Sequence, residues 1–270
     1  MSEVATEIAG AYAEVGGARA YYESAGAGRP FLCVHSAGSD GRLFRHTLPA
    51  MAAAGYRAIA VDLPGHGRSF PLGWELTESL HVFGDWVIEL ADVLGLEQPV
   101  IAGCSVGGNI AIDVAAHHSD RIGAAIAFEG AAYTPTFAGA GTLRDPHTIS
   151  WESVADSMVQ SVILPTASEE QLAEISWLHK STSQLQYASD LVGWERQDLR
   201  DRLDAVTAPL LVGLGTGDFF LPVEIVTATT EAVDSATLVT FDGLGHYPMW
   251  EDPETVNAAI LDFLRGAGVD

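Results

Sequence analysis

The chain has 270 residues, 48% of them hydrophobic and 18% charged, with 13 Lys+Arg against 36 Asp+Glu for a formal net charge of −23. That composition excludes a disordered chain, and so large a negative excess argues against nucleic acid, anionic membrane surfaces and highly anionic substrates. No apolar run reaches the ~18 residues that a membrane span needs, and MSEVATEIAG lacks the basic start and long apolar stretch of a secretory signal. Cys33 and Cys104 fall at the ends of predicted core strands. They are expected to be buried free thiols rather than a disulfide framework, which fits a cytoplasmic location.

In chain order, AYAEVGGARAYYESAG reads as two short strands joined at Gly16-Gly17, a hairpin signal. Phe31 to His35 is a buried strand ending in the loop Ser36 to Gly41, and a helix follows with Phe44, Leu48 and Met51 on one face and Gly55 as its stop. Tyr56 to Val61 is the next strand, ending in the glycine-rich turn Asp62 to Ser69. Thr77 is placed to cap a long helix whose apolar face is Leu80, Phe83, Val87, Leu90 and Leu94. Pro99 to Ile112 then runs from strand through a sharp turn into a helix, and Arg121 to Phe128 is another strand ending at Glu129.

From about Ala132 to Arg200 the alternation breaks into short helices and loops carrying Tyr133, Trp151, Trp177, Tyr187 and Trp194. It resumes with the strand Pro209 to Gly215, a helix from Pro222, the strand Ala236 to Phe241 and a last helix with Asp252 as N-cap and Pro253 at its first position. A hairpin followed by β-α alternation predicts a mostly parallel eight-stranded sheet covered on both faces. The expected organisation is one core built from 1–131 and 201–270, with 132–200 inserted after the sixth strand as a helical cap.

The chemistry centres on Gly103-Cys104-Ser105-Val106-Gly107, a G-x-S-x-G between strand and helix. Such an elbow exposes the serine on a strained turn, beside a helix N-terminus that favours developing negative charge. A serine nucleophile needs a base, an acid and an oxyanion hole. His246, in the loop between the last strand and the last helix, is the candidate base, since none of the other eight histidines has a comparable setting. Two carboxylates fit as the acid: Asp218, just beyond the seventh strand, and Glu129, at the end of the sixth, with Asp218 favoured. The oxyanion donors are expected to be the backbone N–H groups of Val106, next to the serine, and Ala37, in the loop after the third strand. No H-E-x-x-H and no Cys/His cluster points to a metal.

With these residues in place the chain resembles the α/β-hydrolase superfamily over nearly its whole length. VHSAGSDGRLF is similar to its oxyanion stretch, YRAIAVDLPGHGRS to its glycine turn, AGCSVGG to its elbow, APLLVGLGTGDFFLP to its acid strand and GLGHYPMWEDPE to its histidine loop. Ser36 replaces the usual glycine after the histidine, as in the His-Ser-x-Gly loops of enol-lactonases. The GCS elbow, DRI before the strand-six glutamate, and FF followed by EIVTAT also resemble the fungal zearalenone lactonases. Those enzymes use the strand-six glutamate, so that resemblance implies Glu129 as the acid, although this chain keeps Asp218. The resemblance implies a serine hydrolase of esters or lactones working through an acyl-enzyme, without cofactor or metal. The partners expected are a small-molecule ester or lactone, no nucleic acid and no membrane, with a homodimer as the protein partner allowed for. The aromatic insertion points to an apolar or aromatic substrate. The rival readings are carbon–carbon bond hydrolysis on the same scaffold and a ligand receptor with little turnover.

Overall fold

The computed structural model describes residues 7–134, 139–145, 147–163 and 167–269. Gly16 and Gly17, with φ of 60° and 77°, turn Ala9–Val15 (β1) back onto Ala18–Ala25 (β2). Then come Arg29–Val34 (β3), Thr47–Ala53 (α1), Tyr56–Val61 (β4), Leu80–Val93 (α2), Val100–Cys104 (β5), Val106–His117 (α3) and Ala124–Phe128 (β6). The helices Gly139–Arg144 (α4), Trp151–Val162 (α5), Glu169–Leu178 (α6) and Gln184–Arg196 (α7) follow. Leu210–Gly215 (β7), Val223–Glu231 (α8), Ala236–Phe241 (β8), Pro248–Glu251 (α9) and Pro253–Gly266 (α10) complete the chain.

The strands form one eight-stranded sheet in the order β1-β2-β4-β3-β5-β6-β7-β8. β1 and β2 pair antiparallel, as do β2 and β4; every pairing from β4–β3 to β7–β8 is parallel. Successive side chains of a strand point to opposite faces, and along β3 to β7 both faces are largely buried. Phe31 and Cys33 of β3 join Leu48 and Met51 of α1 and Ile260 and Leu264 of α10 on one side. Leu32 and Val34 join Phe83 and Val87 of α2 and Ile110 and Val114 of α3 on the other. From β3 the chain steps to β4 on one side, whereas β5 lies on the other. The crevice at the carboxyl ends of β3 and β5 is therefore the sheet's switch point, where open α/β sheets hold their ligands. No helix among the described residues is long and apolar enough to cross a membrane.

Several elements differ from expectation. The helix expected around Phe44 to Met51 is two pieces, a 3-10 turn over Gly41–Phe44 and α1, because the Asp40 carboxylate accepts from the Arg42 N–H and starts a turn of its own. Thr77 does not cap α2. Its carbonyl accepts from Ser189 Oγ at 2.7 Å, and Ser79 takes the N-cap position in an extended conformation. The sixth strand begins at Ala124, since Ser119–Arg121 forms a 3-10 turn. Asp252 caps α10 as expected, accepting from the Thr255 N–H at 3.1 Å.

Where β5 passes into α3, a Cβ on Gly103 would stand 2.0 Å from the Gly107 carbonyl oxygen, and one on Gly107 would stand 2.1 Å from that of Val34. Backbone cannot retreat as a flexible side chain can, so Gly107→Ala is expected to destabilise the protein by about 3 kcal/mol or more. Gly73→Ala, at a position with nothing within 4 Å of the added Cβ, is expected to stay within about 0.5 kcal/mol of wild type. Urea unfolding of both variants checks this; equal midpoints would overturn the argument.

Candidate active site

Ser105 sits at the turn between β5 and α3 with φ 57° and ψ −120°, a conformation that a non-glycine residue holds only when its surroundings impose it. Its N–H donates to the Phe128 carbonyl oxygen at 2.8 Å, tying the end of β5 to β6, and its own carbonyl accepts the Asn109 N–H at 2.9 Å, starting α3. The side chain opens into a narrow cavity of about 30 Å³ lined by Ser36, Ala37, Tyr187, Phe220, His246 and Tyr247, among others. Val106, the next residue, begins α3.

The loop after β3 is held by its own polar groups. His35 is fully buried; its Nδ1 lies 2.8 Å from the Ser36 carbonyl oxygen, and its Nε2 accepts the Leu63 N–H at 3.0 Å. These partners assign a neutral ring protonated at Nδ1. Burial, with the charge of His66 added, pushes its pKa down to about 4. Ser39 Oγ also donates to the Ser36 carbonyl oxygen, at 3.0 Å. In a trans peptide C=O and N–H point opposite ways, so anchoring the Ser36 carbonyl turns the Ala37 N–H away from His35. Among the described residues neither the Ala37 nor the Val106 amide has a protein acceptor.

His246 lies beyond β8, with Gly245 N–H and Tyr247 N–H both donating to the Glu251 carboxylate, at 2.8 and 3.1 Å. Its own N–H donates to the Val162 carbonyl oxygen at 3.1 Å, so the end of α5 also holds the loop. Phe220 and Tyr247 meet the imidazole edge-to-face, with ring centroids 5.4 and 5.0 Å away. Nδ1 stands 2.7 Å from Asp218 Oδ2. Facing a carboxylate, Nδ1 carries the proton and Nε2 is left as the acceptor. Asp218 Oδ1 accepts the Phe220 N–H at 2.8 Å. Burial pushes the Asp218 carboxyl up, but the charge and hydrogen bond of His246, with bonds from Glu129 and Phe220, outweigh it and hold Asp218 below its usual value.

Of the two acid candidates, the structure brings Asp218 to the imidazole. Glu129, fully buried with φ 48°, stands behind it. Its Oε1 accepts the Gly215 N–H at 2.5 Å. Burial, and then the neighbouring Asp218 charge, raise its pKa well above the carboxylate range. Two adjacent carboxyls cannot both ionise cheaply, so the proton that Glu129 and Asp218 share is favoured on the deeper Glu129. Cys104, the variable residue of the elbow, is buried and its thiol donates to the His246 carbonyl oxygen at 3.4 Å.

Tyr187 and Trp194, singled out as aromatic residues of the insertion, line the cavity. Trp177 is exposed, with the Arg42 guanidinium 4.1 Å from its ring centre, Tyr133 lies under Arg200, and Trp151 packs on the core. Met158 and Leu191 also line the cavity but carry no sequence signal beyond their apolar character, whereas Phe220 and Tyr247 were visible only as parts of the acid-strand and histidine-loop motifs. Glu251, six residues after Gly245, was legible only as part of the histidine-loop motif.

Among the described residues, two groups of side chains have metal-ligand types within 4.8 Å of one another, Glu129–Asp218–His246 and His81–Asp113–His117. The second joins two helices, so no local motif could reveal it. It is already hydrogen-bonded within itself, His81 Nδ1 to Asp113 Oδ1 at 2.9 Å and His117 Nδ1 to the Asp113 carbonyl oxygen at 3.0 Å.

His179, in the turn after α6, is buried with Nδ1 donating to the Ile175 carbonyl oxygen at 2.9 Å and Nε2 accepting from the Tyr247 hydroxyl at 2.9 Å. Burial pushes its pKa down to about 4. A histidine neutral in the fold but protonated when unfolded contributes stability above about pH 6.5 that is lost as pH falls toward the folded value. The melting temperature of wild type is thus expected to fall from pH 6.5 to pH 4 more steeply than that of His179→Gln, a difference worth up to about 3 kcal/mol. Parallel slopes in thermal melts would contradict the burial argument.

A model of the alpha/beta hydrolase family matches residues 31–259. A 2-hydroxy-6-oxononadienedioate/2-hydroxy-6-oxononatrienedioate hydrolase from Paraburkholderia phymatum is 28% identical over 263 residues, 91% of this chain and 91% of its own. The enol-lactonase from Burkholderia xenovorans LB400 superposes with a TM-score of 0.85 at 23% identity, over 94% of this chain and 100% of that one. A thermophilic esterase from Thermogutta terrifontis does so with a TM-score of 0.85 at 23% identity, over 96% and 99%. These two structures speak to the fold. The family match spans most of the chain, from β3 into α10, and the chain belongs to the alpha/beta hydrolase family.

Proposed function

We propose that the protein is a serine hydrolase that cleaves carboxylic esters or lactones of apolar or aromatic small molecules. The observation that carries this reading is the 2.7 Å contact of His246 Nδ1 with Asp218, on an imidazole that shares one cavity with Ser105. His246 Nε2 takes the Ser105 hydroxyl proton as Oγ bonds to the substrate carbonyl carbon. The resulting oxyanion is held by the Ala37 and Val106 N–H groups and by the N-terminus of α3. His246 returns the proton to the leaving alcohol, and the acyl-enzyme forms. A water then gives a proton to His246 as its oxygen bonds to the acyl carbon, and His246 passes that proton to Ser105 Oγ as the acyl–oxygen bond breaks. In a lactone the leaving alcohol stays tethered to the acyl group. Asp218 keeps the imidazole in its reactive tautomer and stabilises the imidazolium without accepting its proton. Glu129 keeps a neutral hydrogen bond on Asp218. A cytoplasmic setting belongs to the same reading and is supported by the two buried free thiols.

Carbon–carbon bond hydrolysis is the second reading, favoured by the name of the Paraburkholderia phymatum relative. That name denotes a dicarboxylate. Among the described residues lining the cavity here there is no Lys or Arg, and the aromatic and aliphatic side chains of Met158, Leu191, Trp194 and Phe220 form much of its wall. Two unpaired carboxylates would be costly in such a setting, which supports the less polar ester or lactone.

A fluorophosphonate probe is expected to label wild type and not Ser105→Ala, and a panel of p-nitrophenyl esters, aryl esters and small and macrocyclic lactones should yield turnover. Absence of labelling would sink the serine reading, whereas turnover of a 2-hydroxy-6-oxodienoate alone would favour the second one. Asp218→Asn is expected to lower kcat by about 10³–10⁴-fold. Glu129→Gln, which mimics the neutral acid, should stay within about tenfold of wild type. As pH rises through the raised Glu129 value, wild type gains a second charge beside Asp218 and loses activity; Glu129→Gln should lack that alkaline loss. The reverse order of the two variants would make Glu129 the acid.

A further inference from the structure

We propose that Asp190, on α7, is a positioning residue that makes the oxyanion loop competent only when α7 is closed over the site. The proposal rests on the serine-hydrolase reading above. Asp190 is buried, and its Oδ2 accepts the Gly38 N–H at 2.9 Å. The same oxygen lies 2.8 Å from His66 Nε2, and Oδ1 accepts from Gln186 Nε2 at 3.0 Å. Gly38 follows Ala37 directly, so one carboxylate from an inserted helix fixes the peptide plane next to a candidate oxyanion donor. His35 fixes the preceding plane from the sheet side, through the Ser36 carbonyl. The Ala37 amide is thus held between a bond from the core and a bond from α7.

His66 presents both ring nitrogens to acceptors, Nδ1 to the Pro64 carbonyl oxygen at 3.1 Å and Nε2 to Asp190. It is an imidazolium paired with Asp190, a buried charge pair joining the glycine turn after β4 to α7. The same helix also closes on the loop sterically. Gly38 has φ 63°, and a Cβ there would lie 2.5 Å from Tyr187 Cγ. No side chain could separate α7 from the loop at this point.

The cavity at Ser105 measures about 30 Å³, whereas pockets that hold a small-molecule ligand run to roughly 300–1,000 Å³. Tyr187, Leu191 and Trp194 of α7 form one side of its wall, so widening it on that side displaces the helix that carries Asp190. Withdrawal of α7 breaks the bond to Gly38 and releases the loop; closure over the substrate restores it. The oxyanion hole is then completed by the closing step that also excludes water.

The test begins with wild type, using p-nitrophenyl acetate, a fluorophosphonate and an aryl trifluoromethyl ketone. The ketone accepts Ser105 Oγ at its carbonyl carbon and leaves an oxyanion in the hole. In Asp190→Ala, kcat is expected to fall about 10- to 100-fold with KM changed less than about threefold. Ketone affinity should fall by the same factor as kcat/KM. Asp190→Asn keeps one acceptor for the Gly38 N–H and should recover part of both losses; it also serves if the alanine variant does not fold. A kcat within twofold of wild type in the folded variant, or a reduced kcat with undiminished ketone affinity, would overturn the proposal. A wild type that neither labels nor binds the ketone would instead bring down the serine reading on which the proposal stands.

Discussion

Between the end of β5 and the first turn of α3 there is room for backbone only. Gly103 abuts the Gly107 carbonyl, and Gly107 abuts the carbonyls of Val34 and His35 at the end of β3. Gly108 does the same against Phe128 at the end of β6, and Gly130 against Gly108. The helix is therefore seated on three adjacent strand ends. That seating turns Ser105 outward at positive φ, and it sets the first amide of the helix beside the loop that leaves β3. Two chain segments 69 residues apart thus approach one another through backbone contacts at the end of β3, before the side chains of His35, Ser39 and Asp190 orient the Ala37 amide.

Buried imidazoles in this acidic chain differ according to what they face. His35 and His179 each meet a carbonyl oxygen on one side and a donor on the other, and burial keeps them neutral. Burial works against His66 as well, but the Asp190 carboxylate overrides it and raises the pKa. His246 faces Asp218, whose own charge is shared with a neutral Glu129. A pair of carboxyls behind one imidazole would be self-defeating if both were ionised. Desolvating the deeper one leaves a single negative charge in contact with the ring.

Much of this was legible in the sequence because it depends on local rules. The apolar runs of β3 to β7, the double-glycine corner and the Asp252-Pro253 start of α10 follow from strand periodicity, turn chemistry and capping. Ser105 and His246 stood out through their flanking glycines. What stayed hidden depends on distance across the fold. Glu129 and Asp218 both follow parallel strands, and the sequence favours Asp218 without excluding Glu129; the register of β6 on β7 and the course of the two loops set one behind the other. Thr77 has the right chemistry for an N-cap, but its carbonyl is engaged by Ser189 from α7 and the extended Ser79 holds the N-cap position. Asp190 lies on α7 among ordinary helix formers, and its partners Gly38 and His66 are more than a hundred residues away.

Cys104 is the one side chain at the elbow directed to the far face of the sheet, where its sulfur touches the backbone of His246. It works as a spacer between the strand that carries the serine and the loop that carries the imidazole. The contact packs the turn at Ser105 against the loop that holds the imidazole, so a residue that belongs to the motif only by its position ties the two segments together.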